Sequence, residues 1–137
     1  MKRLFTVLVA VCAMLGASLL ISSCTAKQNG LVIYRLDFGS YDDPHLNLAY
    51  AIGDGLAASG LAPFSAPYSW KLNGEKNAMN KMASEAFTKR CEAIDKDRSI
   101  MDDPGAPIQG VTVKMTFEFG DYDQGILATY TFKEANK

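Results

Sequence analysis

The amino-acid sequence predicts an α+β fold, with two layers, in which two helices cover one face of an antiparallel sheet of three to four strands. Three observations support this prediction: alternating apolar residues in residues 31–38, apolar residues at helical spacing in residues 73–98, and two alternating stretches near the C-terminus. Side chains repeat every two residues in a strand and every 3.6 in a helix. Each element must bury its apolar side against another layer, which gives a two-layer arrangement.

The first strand is predicted at Leu31 to Phe38, where every second residue is apolar. A helix follows at Asp43-Pro44, because an Asp cap accepts hydrogen bonds from free amides and Pro loses none in the first turn. Apolar residues at three- and four-residue steps continue this helix to Gly60. Gly53 and Gly55 weaken it, or else allow its backbone to approach a neighbour closely.

Residues 61–72 contain two prolines and three aromatic residues. Tyr68, Trp70 and Leu72 alternate with polar residues, so the end of this segment is either a short strand or a loop. The second helix is predicted from Asn73 to Arg98, with an apolar stripe that places the Cys91 thiol in the core.

Two more strands are predicted after the break at Pro104. Apolar residues alternate with polar ones in residues 111–119 and again in residues 126–133, where Ile126 is assigned to the inner side. The polar link 120–125 is short, so an antiparallel hairpin with one solvated face is the simplest arrangement.

Residues 1–23 have the pattern of a secretion signal, in which Lys2 and Arg3 precede an apolar run. This run, Leu4 to Ile21, has 18 residues, so a retained membrane helix is the alternative. The segment ends with Ile21-Ser22-Ser23-Cys24, which resembles the lipobox of bacterial lipoproteins.

The lipobox resemblance implies that Cys24 is acylated, for example with palmitate, and becomes the mature N-terminus. Several acyl chains hold a protein firmly in a bilayer, because each buried methylene contributes about 0.8 kcal/mol. In this family a residue other than Asp after the cysteine, here Thr25, favours the outer membrane. Residues 24–30 would be a lipidated tether without acidic residues, which favours a periplasm-facing position, and residues 31–137 a single domain. Ordinary cleavage without lipid is the remaining alternative.

The charge of the mature chain argues against nucleic acid as a partner. Lys2 and Arg3 leave with the signal, so 12 basic residues remain against 15 acidic ones and the net charge is near −3. Nucleic-acid binding requires a basic surface. No motif indicates a cofactor, and one histidine with one buried cysteine falls short of a zinc ligand set. A Cys–His enzyme built on His45 and Cys91 has no support in their spacing.

Two acidic turns, residues 37–43 and 118–124, resemble each other in sequence. If the strands before them were parallel, Asp42, Asp43, Asp121 and Asp123 would gather at one sheet edge and could bind Ca²⁺. The alternative, which we favour, is that Asp, Gly and aromatic residues simply end strands and make turns.

The aromatic segment offers the other candidate site. Phe64, Tyr68 and Trp70 lie on backbone stiffened by proline and could contact an envelope protein or a glycan, or could merely cover the core. The sequence thus predicts a non-enzymatic, lipid-anchored envelope domain that binds a partner. A small envelope hydrolase that uses the four aspartates, or a structural subunit of an envelope complex, is the alternative.

Overall fold

The computed structural model describes residues 28–65 and 67–133. The expected signal segment and Cys24 lie outside the described residues. The helices and strands, in chain order, are β1 (Asn29–Asp37), α1 (Asp43–Ala58), β2 (Ala62–Ser65), β3 (Ser69–Glu75), α2 (Lys76–Lys96), β4 (Thr112–Phe119) and β5 (Asp123–Thr131). A short 3₁₀ turn, Arg98–Ile100, follows α2.

The strands form one antiparallel sheet in the order β2-β3-β1-β4-β5. The predicted α+β class is confirmed, but the sheet has five strands rather than three to four. The difference comes from the proline-rich segment, which contains β2 as well as the start of β3. All four residues of β2 are exposed and one of them is Pro63, so no alternating pattern reveals this strand. Proline is tolerated there because β2 lies at the sheet edge.

Both helices cover the same face of the sheet. Tyr34 in β1 pairs with Trp70 of β3 and Phe117 of β4, so these three side chains share a face. The Tyr34 hydroxyl donates to Asn80 Oδ1 in α2 at 2.8 Å. The Trp70 ring lies against α1 at Gly53, where an added Cβ would be 2.5 Å from the ring.

The hydrophobic core fills the space between this face and the helices. Alternate residues of β1 are buried as predicted, and Tyr34 and Val32 are fully inaccessible to solvent. The stripe of α2 is buried as well, including Phe87 and Cys91. The thiol is therefore in the core, as the helical spacing predicts.

Strand β5 departs from the predicted alternation at one residue. Met115 pairs with Ala128 but Thr116 pairs with Ile126, so Leu127 is an extra residue in a β-bulge. The bulge turns Ile126 to the outer face, where it is 59% exposed. The inward assignment of Ile126 was therefore wrong, because a bulge shifts the period of two by one residue.

Helix α2 begins later than predicted, since Asn73 to Glu75 belong to β3. The Glu75 carboxylate caps the helix and accepts from the amides of Asn77 and Ala78 at 3.0 Å. Across residues 28–65 and 67–133, no helix combines the length and apolar character that a membrane span requires.

Candidate binding site on the uncovered sheet face

The three aromatic residues singled out in the sequence do not form one surface. Trp70 is only 3% exposed and belongs to the core. Phe64 is 48% exposed at the edge strand, with Lys71 Nζ 5.9 Å from its ring centroid. Tyr68 is half-buried and contacts a different group of residues at the end of β1. Tyr68 also lines a cavity at that end of the sheet.

The four aspartates of the acidic turns lie at opposite ends of the sheet, because β1 and β4 are antiparallel. The parallel arrangement on which a calcium site depended is therefore not present. Asp42 caps α1 by accepting from the His45 amide, and Asp123 pairs with Lys76. Within the described ranges, no three His, Cys, Asp or Glu side chains come close enough to hold a metal ion.

His45 is surrounded by polar groups but does not form a catalytic triad. Asp42 Oδ1 and Ser40 Oγ both approach the same ring atom, Nδ1, at 3.1 and 3.3 Å, and the Ser40 carbonyl lies 2.8 Å from it. A triad needs the carboxylate and the nucleophile on different ring nitrogens. The ring stacks on Phe38, so His45 serves to close the turn before α1.

Cys91 is not available as a nucleophile. Burial raises the pKa of its thiol, and the carboxylates of Asp95 and Glu92 raise it further. The thiol therefore stays protonated, whereas the thiolate is the reactive form.

The opposite face of the sheet carries neither α1 nor α2, and we call it the uncovered face. Its centre is the ion pair between Arg35 Nη1 in β1 and Glu118 Oε1 in β4, at 2.7 Å. Strand pairing places the following side chains on this face: Ile33, Arg35, Asp37, Lys71, Lys114, Thr116, Glu118 and Ile126. Charged, hydroxyl and aliphatic groups are thus interleaved on a rigid surface.

A cavity of about 580 Å³ lies at the end of the uncovered face where β1 stops. The tyrosine cavity, as we call it, is lined by Arg35, Leu36, Asp37, Tyr41, Tyr68 and Thr116. The Tyr41 and Tyr68 rings meet edge to face, with centroids 4.8 Å apart. This is a favourable geometry for an aromatic pair, so the two rings form a stable wall.

Polar groups in the tyrosine cavity offer both donors and acceptors. Burial raises the pKa of the Tyr68 hydroxyl, with further contributions from Tyr41, Tyr50 and Asp42, so it remains protonated and can donate. Asp37 Oδ1 accepts from the Gly39 amide at 2.8 Å, and a carboxylate can accept further bonds. Arg35 has five N–H donors and gives one to Glu118.

Two further depressions lie on the uncovered face. One, of about 260 Å³, shares Arg35 and Thr116 with the tyrosine cavity and extends to Ile126. The other, of about 520 Å³, shares Glu118 with the second and extends along β1 to Leu31. We call the strip of the uncovered face that contains the three depressions the β1 trough.

Sequence reasoning identified Tyr68 but not its neighbours in the cavity. The alternation of β1 and β4 puts Arg35, Asp37 and Thr116 on the polar side of their strands, and this is the one signal that the sequence offers for them. Their meeting depends on β1 and β4 being adjacent, and no local pattern encodes strand order. Tyr41 follows β1 in an irregular turn, where neither helical nor strand period applies.

Comparison of the chain with protein-family models, with curated proteins and with solved structures gives no match. The arguments for function therefore rest on the site itself.

Proposed function

We propose that this protein is a lipid-anchored binding module of the bacterial cell envelope, and that the tyrosine cavity and the β1 trough form its binding site. Acylated Cys24 would hold the chain on the periplasmic side of the outer membrane. The observation that carries the proposal is the cavity of about 580 Å³ on a sheet face without helices. Its volume lies in the range of about 300–1,000 Å³ that is usual for ligand sites.

The direction of β1 supports this arrangement. The proposed tether joins the domain at the start of β1, and the tyrosine cavity lies where β1 ends, at Asp37. A strand of nine residues is about 30 Å long at about 3.3 Å per residue. The tyrosine cavity is therefore at the end of the sheet away from the tether, where a ligand in the periplasm can reach it.

The anchor can be tested by growing cells that express the full chain with labelled palmitate. We expect label in the wild-type chain and none in Cys24→Ser. Cys91→Ser is the matched control, because that cysteine is in the core and should not affect labelling. Label that persists in Cys24→Ser would contradict the proposed attachment site.

The binding role can be tested by NMR on the mature chain, extracted in mild detergent. Short oligosaccharides and short peptides would be titrated separately, and amide shifts would be mapped. We expect the oligosaccharides or the peptides to change the chemical shifts of the Arg35, Tyr41 and Tyr68 amides. If neither ligand class changes these chemical shifts, the cavity does not bind oligosaccharides or peptides.

A further inference from the structure

We propose, building on the binding function above, that the ligand is an uncharged oligosaccharide chain that lies along the β1 trough, with one sugar ring in the tyrosine cavity. The three depressions share lining residues along one face, which suggests a chain rather than a single small molecule. Arg35 lines two of them and Glu118 lines two, so the ion pair lies between the ends of the trough.

The chemistry of the lining suits sugars. A sugar ring has apolar C–H faces and a rim of hydroxyls, each of which can donate and accept a hydrogen bond. The tyrosine cavity supplies aromatic surface from Tyr41, which is 62% exposed, and from Tyr68. The Asp37 carboxylate, the Arg35 guanidinium and the Thr116 hydroxyl supply acceptors and donors for the rim.

An extended peptide is less suited to this surface. Peptides that bind sheets usually add to an edge, where unpaired backbone groups give affinity. Strand β1 is instead paired on both sides, with β3 and β4, so its backbone groups are already used in the sheet. The β1 trough offers a ligand mainly side chains, and a polyhydroxylated chain can be bound by side chains alone.

Charge favours a neutral ligand over an anionic one. Arg35 is already paired with Glu118, and strand pairing places Lys114 opposite Asp37 on the same face, so these two positive and two negative charges balance. The mature chain has a net charge near −3, so its overall field repels anions. Acidic polysaccharides should therefore bind more weakly than uncharged ones of the same length.

The test is a calorimetric and NMR titration of the mature lipidated chain in detergent, with malto-, cello- and chito-oligosaccharides as probes. Oligogalacturonates provide the anionic comparison, and short uncharged peptides provide the other ligand class. We expect at least one uncharged series to shift the amides of Tyr41, Tyr68 and Thr116. Within that series, affinity should rise from the monosaccharide to the longer chains because longer chains occupy more of the trough.

Two variants locate the site. Tyr41→Ala should weaken binding by about three- to tenfold, the usual range for an aromatic contact. Tyr122→Ala is the matched control, because Tyr122 is 96% exposed and lies outside all three depressions, so affinity should not change. An unchanged Trp70 emission spectrum would show that both variants keep the fold.

The outcomes separate the two proposals. If only peptides shift the cavity amides, the sugar assignment is overturned and the binding function stands. If sugars and peptides both leave those amides unmoved, both proposals fail. If oligogalacturonates bind more tightly than uncharged chains, or if Tyr122→Ala weakens binding as much as Tyr41→Ala does, the assignment is also overturned.

Discussion

Replacement of Gly53 by Ala tests the close contact between α1 and the sheet. An added Cβ at this position would lie 2.5 Å from Cζ2 of the Trp70 ring. Ordinary contacts of a Cβ begin near 3.4 Å, so the helix and the ring would have to separate by about 0.9 Å, the difference between these two distances. Trp70 is 3% exposed and cannot swing into solvent to relieve the contact.

Two opposing effects determine how much Gly53→Ala changes the free energy of unfolding. Alanine is better than glycine inside a helix by up to about 1 kcal/mol, which favours the variant. Overpacking a closed core costs about 1–3 kcal/mol, and a rigid buried ring puts this case toward the upper end. We therefore expect Gly53→Ala to lower the free energy of unfolding by about 1–2 kcal/mol.

Urea unfolding followed by the fluorescence of Trp70, the one tryptophan in the chain, measures this change. Gly55→Ala is the matched control in the same helix. Its Cβ would meet the Arg90 side chain, which is flexible and would lose its bond to the Ala51 carbonyl. The donor is charged but half-buried, so losing this bond costs about 1.5 kcal/mol, and the helical gain of up to about 1 kcal/mol offsets most of it. Gly55→Ala should therefore be less destabilised than Gly53→Ala.

The reasoning would be refuted by a Gly53→Ala variant as stable as the wild type. It would also be refuted if Gly55→Ala were the more destabilised of the two. In either case the Trp70 contact would not limit how closely α1 packs on the sheet.

Three further predictions concern buried polar groups. Burial raises the pKa of the Tyr34 hydroxyl and that of Tyr130, whose hydroxyl also donates to Asp95. The unfolded chain releases these protons near the ordinary pKa of 10.0 while the folded chain keeps them. The Cys91 thiol adds to this effect, because its ordinary pKa is 9.0 and burial raises it. Unfolding free energies measured across alkaline pH should therefore begin to fall near pH 9 and fall further above pH 10, less steeply in Tyr130→Phe. Asp95→Asn should lower the unfolding free energy in urea by about 1.5–3 kcal/mol, because Arg98 loses its charged acceptor; an unchanged midpoint would contradict this. Cys91 should resist alkylation in the native chain and react after denaturation, and rapid native labelling would show that the thiol is not in the core.

The helical and central parts of the fold could be predicted because their patterns are long and local. The apolar stripe of α2 and the alternation of β1 each extend over several periods, and both elements are present. The hairpin of β4 and β5 follows from two alternating stretches joined by a short polar turn. Each of these elements buries one side, so burial and sequence period agree except at Ile126 in β5.

The parts that could not be predicted depend on pairing between distant strands. Strand β2 has no alternating pattern, because it lies at the edge with all residues exposed. The reversed face of Ile126 follows from a bulge that its own sequence does not indicate. The position of Trp70 in the core likewise depends on its pairing with Tyr34 across β3 and β1.

The same limits apply to the candidate site. Tyr68 was selected as an aromatic residue beside prolines, but its true neighbours, Arg35 and Tyr41, come from a segment more than twenty residues earlier. The proposed calcium site required parallel strands, and the antiparallel pairing of β1 with β4 separates its aspartates. A site formed between strands can be recognised only once the strand order is known.

The two edge strands of the sheet also affect how readily copies of the chain aggregate. A long, flat edge strand is a template on which another copy can pair and begin an aggregate. One edge here is the short β2 with Pro63, and the other is β5, which the extra residue Leu127 bends and twists. Irregular edges of this kind hinder pairing between the sheets of two copies, and this would matter most if the chain is concentrated on a membrane as proposed. Replacing Pro63, or deleting Leu127, would remove that protection and leave a chain more prone to form fibres.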